Sequence, residues 1–189
     1  MLDDNQIYVI VDIEADGPTP GMYSMLSIGA VATTVDVEVA QFYRKILPLD
    51  NAKQNPNTMN WWKTQPEGWS EVTKDAKSPE LVMKEFDEWL SALGKNPVFV
   101  AHPIAFDYTF VSWYLYKFVG KNRFTDHTDD PKTLDLKSYI SAKYRKTIDG
   151  SAVNKLSDEL LSGSPEHSHK AIDDAIGYAA VLRNILNDK

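Results

Sequence analysis

The 189-residue chain is 43% hydrophobic and 25% charged, which excludes an intrinsically disordered protein and predicts one globular domain over residues 1–189. The absence of cysteine excludes disulfides, thiolate zinc sites and cysteine nucleophiles. The formal net charge of −7 argues against a protein that coats long nucleic acid, because such binding needs a basic surface.

The N-terminus predicts neither export nor membrane insertion. Residues Met1 to Asp4 lack the positive flank and the apolar stretch of a signal peptide, and no apolar run is long enough to span a bilayer. We therefore expect a cytoplasmic protein without a membrane partner.

The first half of the chain predicts three strands and then a tryptophan-rich excursion. Residues 7–13 are almost continuously apolar and β-branched, as in a central strand that is buried on both faces. Residues 25–35 and 37–47 predict two further strands, which would form an antiparallel meander beside the first. Residues 48–78 predict an ordered segment with one short helix. Its tryptophans either stack on nucleic-acid bases or pack against the sheet, and packing is the preferred interpretation; they are Trp61, Trp62 and Trp69.

The second half of the chain alternates helices with short strands. Helices are predicted over 78–93, 105–118, 137–144, 152–161 and 170–187, and strands over 97–101 and 133–136. Together with the first three strands, this order predicts an α/β protein in which helices flank a mixed β-sheet.

Two acids stand close together at the end of the first predicted strand. Because side chains alternate along a strand, Asp12 and Glu14 point to the same face of the sheet as Tyr8 and Ile10. Neighbouring carboxylates on an apolar strand are costly unless a cation neutralises them. The alternative is a strand that simply ends in solvent, and these two residues alone do not decide between the two.

Two predicted helices each carry an acid on their apolar face. Asp107 shares a face with the apolar stripe that begins at Phe110, although an acid at a helix start also interacts favourably with the helix dipole. In the last helix, Asp174 lies in the apolar stripe and Asp173 lies on the polar face, so Asp174 is predicted to point inward. His169, just before that helix, can take a proton near neutral pH, although histidines at such places are more often on the surface.

These three segments resemble, in order and spacing, the exonuclease motifs of the DEDD superfamily in its histidine-containing (DEDDh) subgroup. Members include ribonuclease T, oligoribonuclease and the proofreading subunits of bacterial replicases. The motifs read Asp12-x-Glu14-x-x-Gly17, Phe106-Asp107 and His169-x-Ala171-x-x-Asp174. The resemblance covers nearly the whole chain, from Tyr8 to about Leu186.

The resemblance implies a ribonuclease H-like fold and a single 3′–5′ exonuclease domain. The implied reaction releases nucleoside 5′-monophosphates from a free 3′ end of short or single-stranded DNA or RNA. Two divalent ions, Mg²⁺ or Mn²⁺, would lie on four carboxylates, with His169 as general base. Those carboxylates are Asp12, Glu14, Asp107 and Asp174. A homodimer is also allowed, because several family members form one.

The same resemblance implies substrate contacts and shows two departures. Gly17, Pro18, Met25 and Phe106 are expected to approach the terminal nucleotide. Pro103 stands where many members have asparagine, which puts a substrate contact or a bracing hydrogen bond in doubt. Ser27 stands where many members carry glutamate.

Other polar residues are expected to have structural or solvated roles. The acidic loop around Asp126 and His127 predicts a solvated cluster, and His102 predicts a structural hydrogen bond. His167 competes with His169, but only His169 has the family spacing to Asp174. Basic residues ahead of the third motif favour a solvated face over phosphate contact; they are Lys143, Arg145, Lys146 and Lys155. Two alternative functions are a non-catalytic nucleic-acid-binding module and a hydrolase of small phosphodiesters.

Overall fold

The structure, a computed structural model, describes residues 6–94, 97–165 and 169–188. Its strands are β1 (Tyr8–Ala15), β2 (Met25–Thr33), β3 (Glu38–Lys45), β4 (Val98–Ala101) and β5 (Thr133–Asp135). They form one five-stranded sheet in the order β3-β2-β1-β4-β5. The first three strands are an antiparallel meander, and β4 and β5 run parallel to β1. The sheet is mixed, as predicted.

Helices pack on both faces of this sheet. In the described part of the chain they are α1 (Pro56–Trp62), α2 (Pro66–Thr73), α3 (Pro79–Ala92), α4 (Ile104–Phe118), α5 (Leu136–Tyr144) and α6 (Ala171–Asn187). The excursion at 48–78 therefore holds two short helices instead of the single one predicted. Each begins with a proline, which suits the first helical position because no N–H is needed there. None of the described helices has the length and apolar character needed to cross a bilayer.

The prediction of a helix over 152–161 is wrong. This segment contains a 3₁₀ turn at Val153–Lys155, followed by irregular turns. The side-chain amide of Asn184 in α6 donates hydrogen bonds to the carbonyls of Leu160 and Ser162. Tertiary hydrogen bonds thus satisfy backbone groups that a helix would have paired internally.

Each face of the sheet carries an apolar cluster. Val11 lies in the cluster with α3 and α4, whereas Ile10 lies in the cluster with α6. Side chains alternate along β1, so Asp12 and Glu14 continue the row of Ile10 and point to the α6 face. The orientation predicted for these two acids follows from this packing.

Gly29 is the point where α6 lies against β2. A Cβ added at Gly29 would lie 2.3 Å from the carbonyl carbon of Ala171 and 2.4 Å from the backbone nitrogen of Ile172. Only a residue without a side chain allows the backbones to approach so closely. Because Ala171 begins α6, this contact also fixes where Asp174, one turn further on, meets the acids of β1.

Replacing Gly29 with alanine is expected to lower the free energy of unfolding by about 1–3 kcal/mol, the usual cost of forcing a group into a packed contact. Urea unfolding followed by circular dichroism measures the change. Gly177→Ala in α6 is the matched control, because a Cβ there would lie 3.7 Å from Pro165, in ordinary contact. Similar losses of stability in both variants would contradict the assigned contact.

Candidate functional site

Three acids from two elements meet at the end of β1. One carboxylate oxygen from each of Asp12, Glu14 and Asp174 lies within 4.8 Å of the others. Asp174 is only 5% exposed, whereas its neighbour Asp173 is more accessible. The structure therefore brings together three of the four acids expected to bind metal, and the inward acid of α6 is Asp174, as helical register predicts.

Asp107 approaches the same place from the opposite face of the sheet. It lies in the first turn of α4, and its Oδ1 accepts a hydrogen bond of 3.0 Å from the backbone N–H of Ile13, between the two acids of β1. Pairing of β1 with β4 ends at Ile10, so this N–H lies beyond the paired part of the strand. Asp107 is 4% exposed and lies outside the 4.8 Å group.

Asp135 fixes the start of α4. Its Oδ2 accepts a hydrogen bond of 2.7 Å from the backbone N–H of Ile104, and its Oδ1 accepts one of 2.6 Å from that of Ser138. Pro103, which replaces the usual asparagine, immediately precedes Ile104. A brace at the start of α4 is therefore present, and the β5 carboxylate supplies it. In the sequence, Asp135 is only one residue of the short strand predicted over 133–136.

Burial, together with the closeness of the acids, raises the pKa values of this cluster. Burial, and then the charges of Asp174 and Asp107, raise the pKa of Glu14 to about 8. Burial raises the pKa of Asp107 to about 7, although the hydrogen bond from Ile13 acts in the opposite direction. The pKa of Asp12 lies well above its usual range, first because of burial and then because of the neighbouring carboxylates. A bound cation would lower these pKa values, because it favours the charged carboxylates.

The site fits a hard divalent cation. Its donors are carboxylate oxygens, which suit Mg²⁺ or Mn²⁺ better than softer ions. Ser27 lies on β2 directly opposite Glu14, and its buried Oγ has no hydrogen-bond partner among the described residues. Leaving a buried hydroxyl unpaired costs about 1–3 kcal/mol, which a water or carboxylate ordered by a cation would offset.

His169 is held beside the start of α6 by the excursion. Its backbone is left-handed, with φ of 56°. Its ring makes a T-shaped contact with the ring of Trp61, with the ring centres 5.1 Å apart. Its Cβ lies 3.8 Å from where a Cβ at Gly68 would be, so α2 also borders it. His167 lies outside the described residues.

The tryptophans of the excursion have two different environments. Trp62 is 1% exposed, and its Nε1 donates a hydrogen bond of 3.0 Å to the carbonyl of Ala15. Trp69 packs against it with ring centres 5.5 Å apart. Packing against the sheet is thus confirmed for these two. Trp61 is different, because it remains 39% exposed beside His169.

The residues expected to contact substrate differ in their exposure to solvent. Pro18 is exposed and Phe106 is 37% exposed, so both are accessible. A Cβ at Gly17 would lie 2.2 Å from Cγ of Tyr23. Packing against the Tyr23 ring therefore explains why this position is glycine. Met25 differs from these residues, because its side chain is fully buried in the core.

Tyr178 is a further residue at the site, and the sequence analysis did not single it out. Burial, followed by the charges of the four acids, raises the pKa of its hydroxyl. It therefore stays protonated and able to donate a hydrogen bond. The available signal was its position one helical turn after Asp174.

The residues set aside from the site make hydrogen bonds within the protein, and for the two lysines this differs from the solvated face expected. The ammonium groups of Lys143 and Lys155 donate to backbone carbonyls, which favours a structural role over phosphate contact. Asp126 accepts hydrogen bonds from its own exposed loop. Nε2 of His102 lies 3.2 Å from the carbonyl oxygen of Ser151, as expected for a structural histidine.

The raised pKa values predict that the metal-free protein loses stability as the pH rises. The folded state binds more protons than the unfolded state between the usual pKa of Glu14, 4.5, and its raised value of about 8. The stabilisation is complete below this window and is lost as the pH rises through it. In EDTA, the free energy of unfolding should fall by up to about 1.4 kcal/mol per pH unit for each such acid.

Glu14→Gln is the matched variant, because glutamine keeps the shape and removes the titrating group. In EDTA at mildly alkaline pH it should unfold at a higher temperature than the unchanged protein, and it should gain less stability from Mn²⁺. Thermal unfolding with and without metal measures both effects. A variant that is less stable than the unchanged protein in EDTA would contradict the electrostatic cost of the cluster.

Known proteins share the sequence and the fold of this chain. The model of the Rv2179c-like family, described as a 3′–5′ exoribonuclease domain, matches residues 7–186. The 3′–5′ DNA exonuclease Cap18 of Escherichia coli is 30% identical, and the alignment covers 98% of this chain and 94% of Cap18.

Two solved structures support the fold. Cell-death related nuclease 4 (CRN-4) has a TM-score of 0.68 at 17% identity, and the match covers 96% of this chain and 64% of that chain. The nuclease domain of 3′hExo, a DEDDh family member bound to rAMP, has a TM-score of 0.67 at 11% identity, covering 96% and 90%. The predicted ribonuclease H-like fold and the resemblance to 3′–5′ exonucleases are confirmed. By its match over almost the whole length, this chain belongs to the Rv2179c-like family of 3′–5′ exoribonuclease domains.

Proposed function

We propose that this protein is a metal-dependent 3′–5′ exonuclease that releases nucleoside 5′-monophosphates from a free 3′ end of short or single-stranded nucleic acid. The observation that supports this most directly is the convergence of Asp12, Glu14 and Asp174 beside Asp107. The family is described as a 3′–5′ exoribonuclease, and the Escherichia coli relative as a 3′–5′ DNA exonuclease. The proposal therefore includes both RNA and DNA as substrates.

The four acids would hold two divalent ions, Mg²⁺ or Mn²⁺. When bound, these ions would stabilise charge on the attacking and leaving oxygens of the phosphoryl transfer. The backbone N–H of Ile13 orients Asp107, and Gly29 sets the position of Asp174 through the start of α6. The hydroxyl of Ser27 can donate to a carboxylate or water on the Glu14 side of the cluster.

His169 is the proposed general base, which accepts the proton of the attacking water at a ring nitrogen. An imidazole suits this role because its pKa lies near neutral pH. The T-shaped contact with Trp61 limits the orientation of the ring. The exposed part of the Trp61 ring would stack on the base of the terminal nucleotide, a contact that tolerates any base.

The proposal is tested with end-labelled RNA and DNA oligonucleotides of matched sequence, incubated with Mn²⁺ or with EDTA. We expect stepwise shortening from the 3′ end and release of mononucleotides with Mn²⁺, and neither with EDTA. Asp12→Asn should abolish release, because it removes a charged ligand and keeps the side-chain size. Asp130→Asn, in the exposed acidic loop, is the matched control and should behave as the unchanged protein.

The outcomes separate the alternatives. A non-catalytic nucleic-acid-binding module would bind oligonucleotides without shortening them. A hydrolase of small phosphodiesters would cleave only nucleotide esters. Full activity in a folded Asp12→Asn variant would contradict the assigned metal ligands.

His169→Gln is expected to lower kcat by about 10²–10⁴-fold, the usual contribution of a general base, and to remove the acidic limb of the pH–rate profile. The stability gained from Mn²⁺ should stay unchanged, because the histidine is not among the proposed ligands. His127→Gln, in the exposed acidic loop, is the matched control. Loss of the Mn²⁺ effect together with activity would instead make His169 a ligand or a structural residue.

A further inference from the structure

A cavity adjoins the carboxylate cluster between α6 and the segment 152–165. It encloses about 480 Å³. Its lining includes His102, Val153, Asn154, Asp174, Gly177 and Tyr178. Because Asp174 belongs to both the cluster and the lining, a molecule in the cavity would lie next to the reacting phosphate.

The sheet order places this cavity and the excursion on opposite sides of β1. Trp62 is bonded to Ala15 at the end of β1 and packs on Leu26 of β2, so the excursion lies on the β2 side. His102 directly follows β4, which lies on the other side of β1. A nucleic-acid chain that passes over the acids of β1 would therefore have Trp61 on one side and the cavity on the other.

Hydrogen bonds hold the wall of the cavity. Oγ of Ser164 donates to the carbonyl of Gly177 at 3.1 Å. The side-chain amide of Asn184 donates to the carbonyls of Leu160 and Ser162 at 3.0 and 2.9 Å. Hydrogen bonds thus connect the segment that replaces the expected helix to α6 at several points. These bonds keep the wall of the cavity in place.

The lining suits a nucleoside better than a phosphate. It is mainly apolar, and no lysine or arginine lines it in the described part of the chain. The rings of His102 and Tyr178 lie 5.2 Å apart, and burial lowers the pKa of His102, which favours its neutral form. Asn154 adds an amide that can both donate and accept hydrogen bonds.

We propose that this cavity receives the nucleoside on the 5′ side of the scissile phosphate, while the side of Trp61 and His169 receives the 3′-terminal nucleotide. This inference rests on the proposed exonuclease function. The volume of about 480 Å³ lies within the range of pockets that bind small ligands, roughly 300–1,000 Å³. The upstream nucleoside is the leaving group of the reaction, so the cavity would hold it while the bond breaks.

The test compares two substrates that differ in what lies upstream of the phosphate. A dinucleotide carries one upstream nucleoside, whereas the p-nitrophenyl ester of thymidine 5′-monophosphate carries none. Gly177→Leu fills the cavity from α6 and should lower kcat/KM on the dinucleotide by roughly tenfold or more, the effect of losing one well-packed base. Hydrolysis of the ester should stay nearly unchanged. Asp158→Leu, exposed outside the lining, is the matched control.

Equal losses on both substrates, or no loss on either, would overturn the proposal. If circular dichroism shows that Gly177→Leu does not fold, Asn154→Ala at an exposed position decides the question. It should lower dinucleotide hydrolysis alone, and unchanged hydrolysis would overturn the assignment. Failure of the exonuclease function is a different result, because the unchanged protein would then release no mononucleotide from any oligonucleotide.

Discussion

Carboxylates that share a buried site repel one another, and the fold must hold them together at the end of β1 despite that repulsion. Burial and the neighbouring acids raise the pKa of Glu14 to about 8. The backbone resists this repulsion, because Gly29 lets α6 approach β2 and the N–H of Ile13 holds Asp107. The fold itself therefore places the acids close together, and a bound cation would offset their mutual repulsion.

The rest of the molecule is arranged around this cluster. β1 pairs with β2 along its whole length, but its pairing with β4 ends at Ile10. The acids lie beyond that point, where β1 has a partner on one side only. The excursion borders them on the β2 side through Trp62, and the segment after β4 borders them on the other side through His102. Protein therefore borders the acids on both sides of β1.

Short-range periodicity predicted which way the acids point, whereas their assignment to one metal site came from the resemblance to known exonuclease motifs. Strand alternation oriented Asp12 and Glu14, and helical register selected Asp174 over its neighbour. The sequence is less informative where distant residues decide the structure. The backbone at 152–161 depends on Asn184, which is far along the chain. Met25 is buried because the sheet and α4 enclose it, and no local pattern carries that information.

The exposed turn at the tip of the loop between α4 and β5 has a practical consequence. A bridge between Thr125 and Pro131 closes it, and Arg123 just before it pairs with Asp87 of α3. The turn is thus closed at its base and its start is anchored to α3, and the start of α4 is braced separately by Asp135. Residues 126–130 are therefore a suitable place for inserting a fluorescent reporter or an affinity peptide, because added chain there need not disturb the acids.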